Sequence, residues 1–468
     1  MSSFQYRSAR ELAALIASRE ITPLEVMEHT LQRIETANPK LNAFVALDAE
    51  RAMDEAKALT ESIARKGVPG PLTGIPLGVK DLEDVKGMVT SFGSVPFKDN
   101  IATGDSVQVA RLREAGAIVV GKTNTPEFGS TGFTKNRLFG TTRNPWNLER
   151  TPGGSSGGSA AAVVAGMVPL ATGSDGGGSV RIPASYTGCY GLKTSAGRIP
   201  LGPVPMLYMS PIAVLGPLTR TVEDAAMFLD CVAGYHPAAP DSLSRPEYSY
   251  LERLDSLPKG LTIAFSPTLG YATVQHDVMA CVEKAVCAFE ELGHTVILLE
   301  EAIPNVVNAW SKLFSLNIYG TLSDNIDKYG QDMGRALVHS LEEIKQLTLA
   351  DLVEAQKIKT EQNRVLWNLF DRFDLLLTPT MPVEAFAAEG PPPSEINGQP
   401  IHMLDVVAFT YPFNLSGHPA ASVPAGFTES GMPVGLQIVG PRLRDDLVLQ
   451  ASRAYEQVRP WNDHWPMV

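Results

Sequence analysis

Cysteine is scarce in this sequence of 468 residues, and the four cysteines form no C-x-x-C pair. So few thiols in so long a chain predict neither a disulfide framework nor a structural zinc site. The eight histidines are scattered and include no H-x-E or H-E-x-x-H pattern. We therefore expect a protein that holds no metal.

Long hydrophobic runs are also lacking. The most apolar stretch, residues 160–171, has twelve residues and contains Gly166 and Pro169, whereas a membrane span needs about 20 apolar residues. We therefore expect a buried helix there and no membrane partner. The N-terminal residues MSSFQYRSARELAAL contain no apolar segment typical of a signal peptide, which predicts a cytoplasmic protein.

Positive charge is in deficit, with 39 Lys and Arg residues against 51 Asp and Glu residues and a net charge of −12. A negative protein repels polyanions, which disfavours nucleic acid and anionic membranes as partners. Charged residues make up 19% of the chain, below the usual ~25%, and hydrophobic residues make up 44%. This composition is typical of a globular protein with a large core.

Two hydrophobic patterns occur along the chain. The first 70 residues are predicted to be helical, with capping-box signals at Ser8 and Thr22 and a third helix at about 48–66. From residue 74, short apolar runs alternate with helical windows, which is typical of an α/β fold with one large mixed sheet. The predicted strands lie at 75–79, 117–120, 168–171, 261–265, 295–299, 374–378 and 434–439, with helices at 105–115 and 278–292.

No linker divides the chain, so we expect a single domain spanning residues 1–468. The helical segment 1–70 is expected to pack on this domain. Residues 300–410 are a more variable helical and loop region that we expect to shape a substrate pocket. This region includes a proline-rich surface loop at 385–399.

Glycine is concentrated in one part of the chain, where twelve of the 40 glycines lie among the 45 residues from 153 to 197. These glycines flank two serines that are 24 positions apart, Ser155 in GGSSGGS and Ser179 in GSDGGGS. Because glycine has no Cβ, backbone N–H groups can approach another group closely beside a serine hydroxyl. That arrangement fits an acyl-transfer site, in which a nucleophile lies next to an oxyanion hole.

Other glycine-rich sites fit less well. Residues 153–158 lack the G-K-[ST] ending of a phosphate loop and the G-x-G-x-x-G spacing of a dinucleotide loop, so we expect no cofactor. They match the G-x-S-x-G nucleophile elbow, but a loop precedes them where that motif needs a strand. A glycine-rich turn that packs a helix closely on a sheet stays open as a structural alternative.

Lys80 favours the catalytic interpretation. It directly follows the apolar run 75–79, so we expect it at the end of a buried strand, although most lysines are solvated surface residues. Burial disfavours the charged form of lysine and lowers its pKa. A neutral lysine is a competent general base.

Seven segments together resemble the amidase signature family, and they run in the family's order over most of the chain. The segments are GIPLGVKD at 74–81, GGSSGGS at 153–159, GSDGGGSVRIP at 173–183, GCYGLK at 188–193, VLGPLTR at 214–220, DLLLTP at 374–379 and GHPAASVP at 417–424. The resemblance implies the amidase signature fold, which is one large mixed, twisted β-sheet covered by helices on both faces, with residues 74–225 as the signature core.

The resemblance also implies a Ser–cis-Ser–Lys triad. In it, Ser179 is the nucleophile, Ser155 is the bridging serine at a cis peptide bond, and Lys80 is the base. Asp175 and Arg181 flank the loop of the nucleophile, and we expect them to hold it by pairing, with a surface ion pair as the alternative. Ser174 stands where many relatives have Thr and is a candidate for a supporting hydroxyl. Backbone N–H groups of Gly176, Gly177, Gly178 and Ser179 are implied as the oxyanion hole.

The implied activity is hydrolysis of carboxamide C–N bonds in small, hydrophobic aryl or alkyl amides through a serine acyl-enzyme, with esterase or carbamate hydrolase activity beside it. The alternatives are a subunit of a glutamine-dependent amidotransferase and a non-catalytic binding relative. Ile182 stands where tRNA-dependent relatives usually have Gln, which disfavours the amidotransferase. A homodimer is expected because homodimers are common among similar enzymes. Pocket candidates, each of which also fits a core position, are Gly129, Met206, Leu207, Tyr208, Met209, Trp310, Phe314 and Leu316.

Overall fold

The computed structural model describes residues 4–203 and 212–468, so the predicted pocket residues Met206, Leu207, Tyr208 and Met209 lie outside the described residues. Within these ranges the α-helices are α1 (Ala9–Ala17), α2 (Pro23–Leu41), α3 (Ala49–Lys66), α4 (Val107–Glu114), α5 (Gly157–Val164), α6 (Arg181–Thr187), α7 (Val222–Val232), α8 (His276–Glu291), α9 (Val307–Tyr329), α10 (Arg335–Ile344), α11 (Leu349–Phe370), α12 (Tyr411–Ser416) and α13 (Asp445–Val458). The strands are β1 (Phe44–Leu47), β2 (Pro76–Lys80), β3 (Ile118–Thr123), β4 (Lys135–Asn136), β5 (Gly140–Thr141), β6 (Leu170–Asp175), β7 (Tyr190–Lys193), β8 (Val214–Thr219), β9 (Thr262–Phe265), β10 (Thr295–Leu298), β11 (Leu375–Pro379), β12 (Glu395–Ile396), β13 (Gln399–Pro400), β14 (Ala420–Phe427) and β15 (Pro433–Val439).

The first two helices begin at the predicted capping boxes. The Ser8 hydroxyl accepts a hydrogen bond from the backbone N–H of Glu11, whose carboxylate accepts one from the N–H of Ser8. Thr22 and Glu25 form the same reciprocal pair at the start of α2. These side chains satisfy N–H groups that the helix itself leaves without a partner, which fixes where each helix starts.

Among the described residues, eleven strands form one mixed sheet in the order β1-β3-β2-β6-β8-β7-β14-β15-β11-β9-β10. Strand β2 is parallel to β3 and β6, and β9 is parallel to β10 and β11, whereas the other neighbouring pairs are antiparallel. The strands predicted at 261–265 and 295–299 and the helix predicted at 278–292 form a βαβ unit of β9, α8 and β10. The predicted α/β class with one large mixed sheet is confirmed.

Helices cover both faces of this sheet. Side chains alternate between the faces of a strand, and in β3 Ile118 and Val120 pack with α2, α3 and α5. Val119, between them, belongs to the core on the opposite face, which includes residues of α4, α7, α8 and α13. All six residues of β3 are buried, as expected for a strand inside a doubly covered sheet.

The apolar run 160–171 differs from its predicted form. It is not one buried helix, because α5 ends at Val164 and β6 begins at Leu170. Gly166 lies between them with a φ of 68°, a left-handed conformation that glycine adopts without steric cost. In the described part of the chain, no helix is long and apolar enough to cross a membrane.

This turn leads into β6, whose end lies beside the end of β2. Strand β6 runs parallel to β2, with Leu77 opposite Leu170 and Gly78 opposite Ala171. Parallel neighbours end at the same edge, so Lys80 at the end of β2 lies beside Ser174 and Asp175 at the end of β6.

Candidate active site

Lys80 is fully buried and faces three serine hydroxyls. Its Nζ lies 2.8 Å from Ser155 Oγ, 2.8 Å from Ser156 Oγ and 2.9 Å from Ser174 Oγ. The structure therefore brings together three residues predicted from distant motifs. Ser156 was not among the predicted residues, and its adjacency to Ser155 is the only sequence signal that points to it.

Burial controls the charge of Lys80. Loss of hydration lowers its pKa to about 7, although the negative charges of Glu83 and Asp175 act in the opposite direction. The three hydroxyls are neutral partners, which stabilise an ammonium less than a carboxylate in contact would. A large share of this lysine is therefore a neutral amine near neutral pH, as a general base requires.

The serine loop that precedes α5 is closely packed. The peptide bond between Gly154 and Ser155 is cis. A Cβ added at Gly157 would lie 2.2 Å from Thr134 Oγ1, and one at Gly158 would lie 2.3 Å from the backbone N of Asn124. The glycines therefore also let this turn and α5 pack closely on neighbouring segments, which is the structural role considered as an alternative.

Ser179 lies half-buried where the structure has two adjoining chambers. Its backbone carbonyl accepts a hydrogen bond of 3.2 Å from the N–H of Ser156, which ties the two serine loops together. Ser155 lines the first chamber together with Ser179. Among the residues that the structure describes, the Ser179 hydroxyl has no hydrogen-bond partner and is open to the chambers.

Asp175 and Arg181 hold the loop that carries Ser179. Both side chains are fully buried, and the guanidinium meets the carboxylate in two hydrogen bonds of 2.9 and 3.0 Å. The surface ion pair considered as an alternative is therefore wrong. Burial alone would raise the pKa of Asp175, but the Arg181 guanidinium outweighs it and holds that pKa well below its usual range.

This pair is tied to the rest of the sheet. The carboxylate also accepts hydrogen bonds from the backbone N–H of Gly178 at 2.7 Å and from Asn414 Nδ2 at 2.8 Å. The guanidinium donates further to Gln437 Oε1 at 2.7 Å. These contacts tie the loop that carries Ser179 to α12 and β15 and satisfy the buried pair.

We expect Asp175→Asn to destabilise the protein strongly. The amide leaves the Arg181 charge buried without its counter-ion, which costs about 3–5 kcal/mol of unfolding free energy. Chemical denaturation measures this change. Glu301→Gln is the matched control because it also removes a two-hydrogen-bond partner of an arginine, Arg372, but on the surface, where screening leaves little effect. Equal midpoints for the two variants would contradict the structural role of Asp175.

The glycines before Ser179 are pressed against aromatic rings. A Cβ at Gly176 would lie 2.4 Å from the Phe314 ring, and one at Gly177 would lie 2.3 Å from the Trp310 ring. Trp310 Nε1 donates to the carbonyl of Gly176 at 2.8 Å. Any side chain larger than hydrogen at these two positions would require the neighbouring ring to move.

The oxyanion donors proposed from the sequence are not equivalent. The N–H of Gly178 donates to Asp175, so it faces that carboxylate and not the chambers. In residues 4–203 and 212–468, the N–H groups of Gly176, Gly177 and Ser179 have no protein acceptor. The predicted donor Gly178 is therefore wrong, whereas the N–H groups of Gly176, Gly177 and Ser179 stay the proposed oxyanion hole.

The two chambers differ in their linings. The lining of the first includes the polar side chains of Glu83, Ser106 and Asn317 beside the serines. Most of the lining surface is apolar in both chambers, but the second has no charged residue in its wall, and its polar side chains are those of Ser130, Thr131 and Ser179. Gly129, Ser179 and Phe314 line both chambers and Trp310 lines the second, whereas Leu316 lines neither. The apolar lining of the second chamber includes four residues that the sequence analysis did not single out, Phe133, Met381, Phe386 and Met403.

Comparisons with known proteins agree with this geometry. The sequence profile of the Amidase family matches residues 25–449. An acylamidase from Rhodococcus erythropolis is 41% identical over 471 residues, which cover 99% of this chain and 98% of that protein. A glutamyl-tRNA(Gln) amidotransferase subunit from a Cyanothece species is 34% identical, with 98% of this chain and 100% of the relative covered.

Solved structures give the same result. A bacterial aryl acylamidase of the amidase signature enzymes matches with a TM-score of 0.92 and 34% identity, over 98% of this chain and 97% of that one. The 6-aminohexanoate cyclic dimer hydrolase matches with a TM-score of 0.89 and 30% identity, over 99% of both chains. This chain belongs to the amidase signature family and is a hydrolase that acts on amide bonds, so the predicted family, fold and enzyme class are confirmed.

Proposed function

We propose that this enzyme hydrolyses small, hydrophobic aryl or alkyl amides through an acyl-enzyme on Ser179. The observation that carries the proposal is the contact between the buried Lys80 amine and Ser155 Oγ at 2.8 Å, in a chamber that Ser179 also lines. A buried base, a relay hydroxyl in contact with it and a free hydroxyl in the same chamber as the relay are the parts that nucleophilic acyl transfer needs.

The proton path follows from the contacts of Lys80. A neutral amine has two N–H donors and one lone pair, so one of its three serine neighbours must donate to it. In the proposal Ser155 is that donor, because it lines the chamber of Ser179. Lys80 takes a proton from Ser155, Ser155 takes one from Ser179, and Ser179 Oγ attacks the carbonyl carbon.

The intermediate then collapses with the same groups. Its oxyanion accepts hydrogen bonds from the N–H groups of Gly176, Gly177 and Ser179. The C–N bond breaks while the proton returns through Ser155 to the leaving nitrogen. Water, deprotonated along the same path, attacks the ester carbonyl and releases the carboxylic acid and free Ser179. Esters and carbamates pass through the same addition step, and we include them as side activities.

The second chamber supports hydrophobic substrates. Its walls include Phe133, Trp310 and Phe386, which offer ring faces, and Met381 and Met403, whose flexible thioethers adapt to different shapes. Burying an aryl group there gains about 25 cal/mol for each Å² of apolar surface. A substrate with a hydrophobic acyl group is therefore favoured over a small polar one.

Two alternative functions, an amidotransferase subunit and a non-catalytic relative, are less well supported than an amidase. An amidotransferase role is supported by the similarity to the glutamyl-tRNA(Gln) amidotransferase subunit, but Ile182 and the net charge of −12 argue against a tRNA partner. A non-catalytic relative is disfavoured because Lys80, Ser155 and Ser179 are all present and, for the first two, in contact.

A substrate panel tests the proposal. The purified chain alone is assayed on aliphatic amides, aryl amides, an ester and a carbamate that share one aryl acyl group, and on glutamine. We expect the aryl-acyl amides to have the highest kcat/KM of the amides. Glutamine as the best substrate, or no turnover without added subunits, would contradict the proposal. Sedimentation of the same preparation tests the expected homodimer.

The activity should also rise with pH. The base is the neutral form of Lys80, whose fraction rises as pH increases through a pKa of about 7. We expect log kcat/KM for a non-ionising amide to rise with unit slope below that pKa and to level off above it. A flat profile across the pKa, measured where chemistry limits the rate, would contradict the assignment of Lys80 as base.

A further inference from the structure

We propose that the first chamber binds the amine half of the substrate and that Glu83 in its wall selects amines with a second N–H or ammonium donor. This inference rests on the proposed acyl-enzyme at Ser179 and concerns the substrate class of that site. Its substrates are monoacyl amides or carbamates of diamines and amino-anilines.

The assignment of the chambers follows from the proton path. The leaving nitrogen must receive its proton from Ser155, and Ser155 lines the first chamber but not the second. Gly176 lines the first chamber and Gly177 lines the second, so an oxyanion held by both N–H groups lies at the boundary. The nitrogen of the scissile bond therefore points into the first chamber, and the acyl group extends into the apolar one.

Glu83 gives the first chamber an unsatisfied acceptor. It is 3% exposed and lines the chamber. Its Oε2 accepts hydrogen bonds from Gln108 Nε2 at 2.8 Å and from Ser106 Oγ at 3.4 Å. Thr172 lies near the carboxyl, but no described donor meets Oε1 with hydrogen-bond geometry.

An unpartnered buried carboxyl oxygen is costly, and native proteins rarely leave such a group unsatisfied. The amide oxygen of the neighbouring Gln108 is also without a donor among the described residues. Gln108 itself does not line the first chamber, so Glu83 is the acceptor that an N–H or ammonium group in this chamber would meet. A bound donor of this kind gives an amine-selective contact at the wall of the first chamber.

The charges around Glu83 favour a cationic donor. Lys122 Nζ lies 3.5 Å from Asp81 Oδ1, so this ammonium has its own counter-ion, and it contacts the backbone carbonyl of Glu83. Lys80 is neutral in the active form. With both carboxyls ionised, Asp81, Glu83 and Lys122 carry a net charge of −1, which a substrate ammonium neutralises. Burial raises the pKa of Glu83, and a bound cation opposes that shift.

The test compares two benzamides with one acyl group. The mono-benzamide of diaminobutane ends in an ammonium, and N-pentylbenzamide ends in a methyl group at the same position. The ratio of their kcat/KM values is measured above the pKa of Lys80 for wild type, Glu83→Gln and Glu456→Gln. Glu456 is a matched control because it is also 3% exposed, accepts hydrogen bonds from Arg453 and Val222, and lines neither chamber.

We expect wild type to prefer the diamine amide and Glu83→Gln to reduce that preference by about tenfold or more, as loss of a hydrogen bond to a charged group does. Glu456→Gln should keep the wild-type ratio. Equal ratios in wild type and Glu83→Gln would overturn the inference while leaving the amidase proposal intact. Equal losses on both substrates, with a shifted pH profile, would also overturn it, because Glu83 would then act through Lys80.

A measurement on wild type alone keeps the inference testable if Glu83→Gln does not fold. The ammonium is moved to the acyl half, in the anilide of aminopentanoic acid, and compared with the anilide of hexanoic acid. We expect the charged acyl group to be disfavoured in the apolar chamber. A preference for the charged acyl group would overturn the chamber assignment. Absence of turnover of every amide would overturn the proposed function and this inference with it.

Discussion

Ser179→Ala is expected to lower kcat on an aryl amide by about 10⁴-fold or more, the loss typical of removing a serine nucleophile. The hydroxyl is half-buried and makes no hydrogen bond among the described residues, so alanine removes little packing and no structural contact. The unfolding free energy should therefore change by less than about 1 kcal/mol. Steady-state kinetics and chemical denaturation on the same preparation measure both quantities.

A control serine separates this loss from a general effect of mutation. Ser430 is exposed in the turn between β14 and β15 and lies outside both chambers. Ser430→Ala should retain full kcat. If Ser179→Ala keeps more than about a tenth of the wild-type kcat, another group must attack the carbonyl.

Lys80→Met is expected to reduce kcat/KM by about 10³-fold, within the range that general bases contribute. Methionine fills the volume of lysine without a titrating group. The remaining activity should no longer rise with pH, because the neutral amine that gives the rising limb is absent. The pH profile of kcat/KM from single-turnover rates measures this change.

Lys193→Met is the matched control for that experiment. Lys193 is also fully buried, and burial together with the nearby Arg181 lowers its pKa to about 7. Its Nζ donates to the carbonyls of Thr194 and His418, at 3.0 and 2.6 Å, and the residue lines neither chamber. We expect this variant to lose stability but to keep the rising limb. If Lys193→Met loses the rise of kcat/KM with pH and Lys80→Met keeps it, Lys193 and not Lys80 is the base.

Helices that begin at a specific side-chain contact could be predicted from a few neighbouring residues. The capping boxes at Ser8 and Thr22 placed α1 and α2, because those hydrogen bonds lie within four residues of chain. Every predicted strand overlaps an observed one. The helix expected over 160–171 ends earlier, at Val164, and the strand expected at 168–171 follows as β6, because the turn at Gly166 separates two apolar segments of similar composition.

The catalytic groups could be predicted because they follow recognisable local patterns. Lys80 ends an apolar run and the serines lie among glycines, and the resemblance assigned their roles. The sequence did not predict Ser156 as a contact of Lys80 or the engagement of the Gly178 N–H by Asp175. Both depend on the orientation of single groups in a folded loop, which no spacing encodes.

The residues that line the chambers were harder to predict from the sequence. Phe133, Met381 and Phe386 come from separate segments, and a hydrophobic side chain beside a chamber looks the same in sequence as one in the core. Glu83 was missed for a related reason. It lies three residues after Lys80, where a carboxylate would ordinarily be solvated, and only the fold shows that it is buried.

Trapping the acyl-enzyme tests the central claim most directly. The purified protein is mixed with an activated aryl ester whose acyl group fits the apolar chamber, quenched in acid, and analysed by intact mass and peptide mapping. We expect one acyl group per chain, located on Ser179, and no adduct in Ser179→Ala. Turnover without any adduct under conditions where deacylation limits the rate, or an adduct on another residue with Ser179 unmodified, would contradict the account.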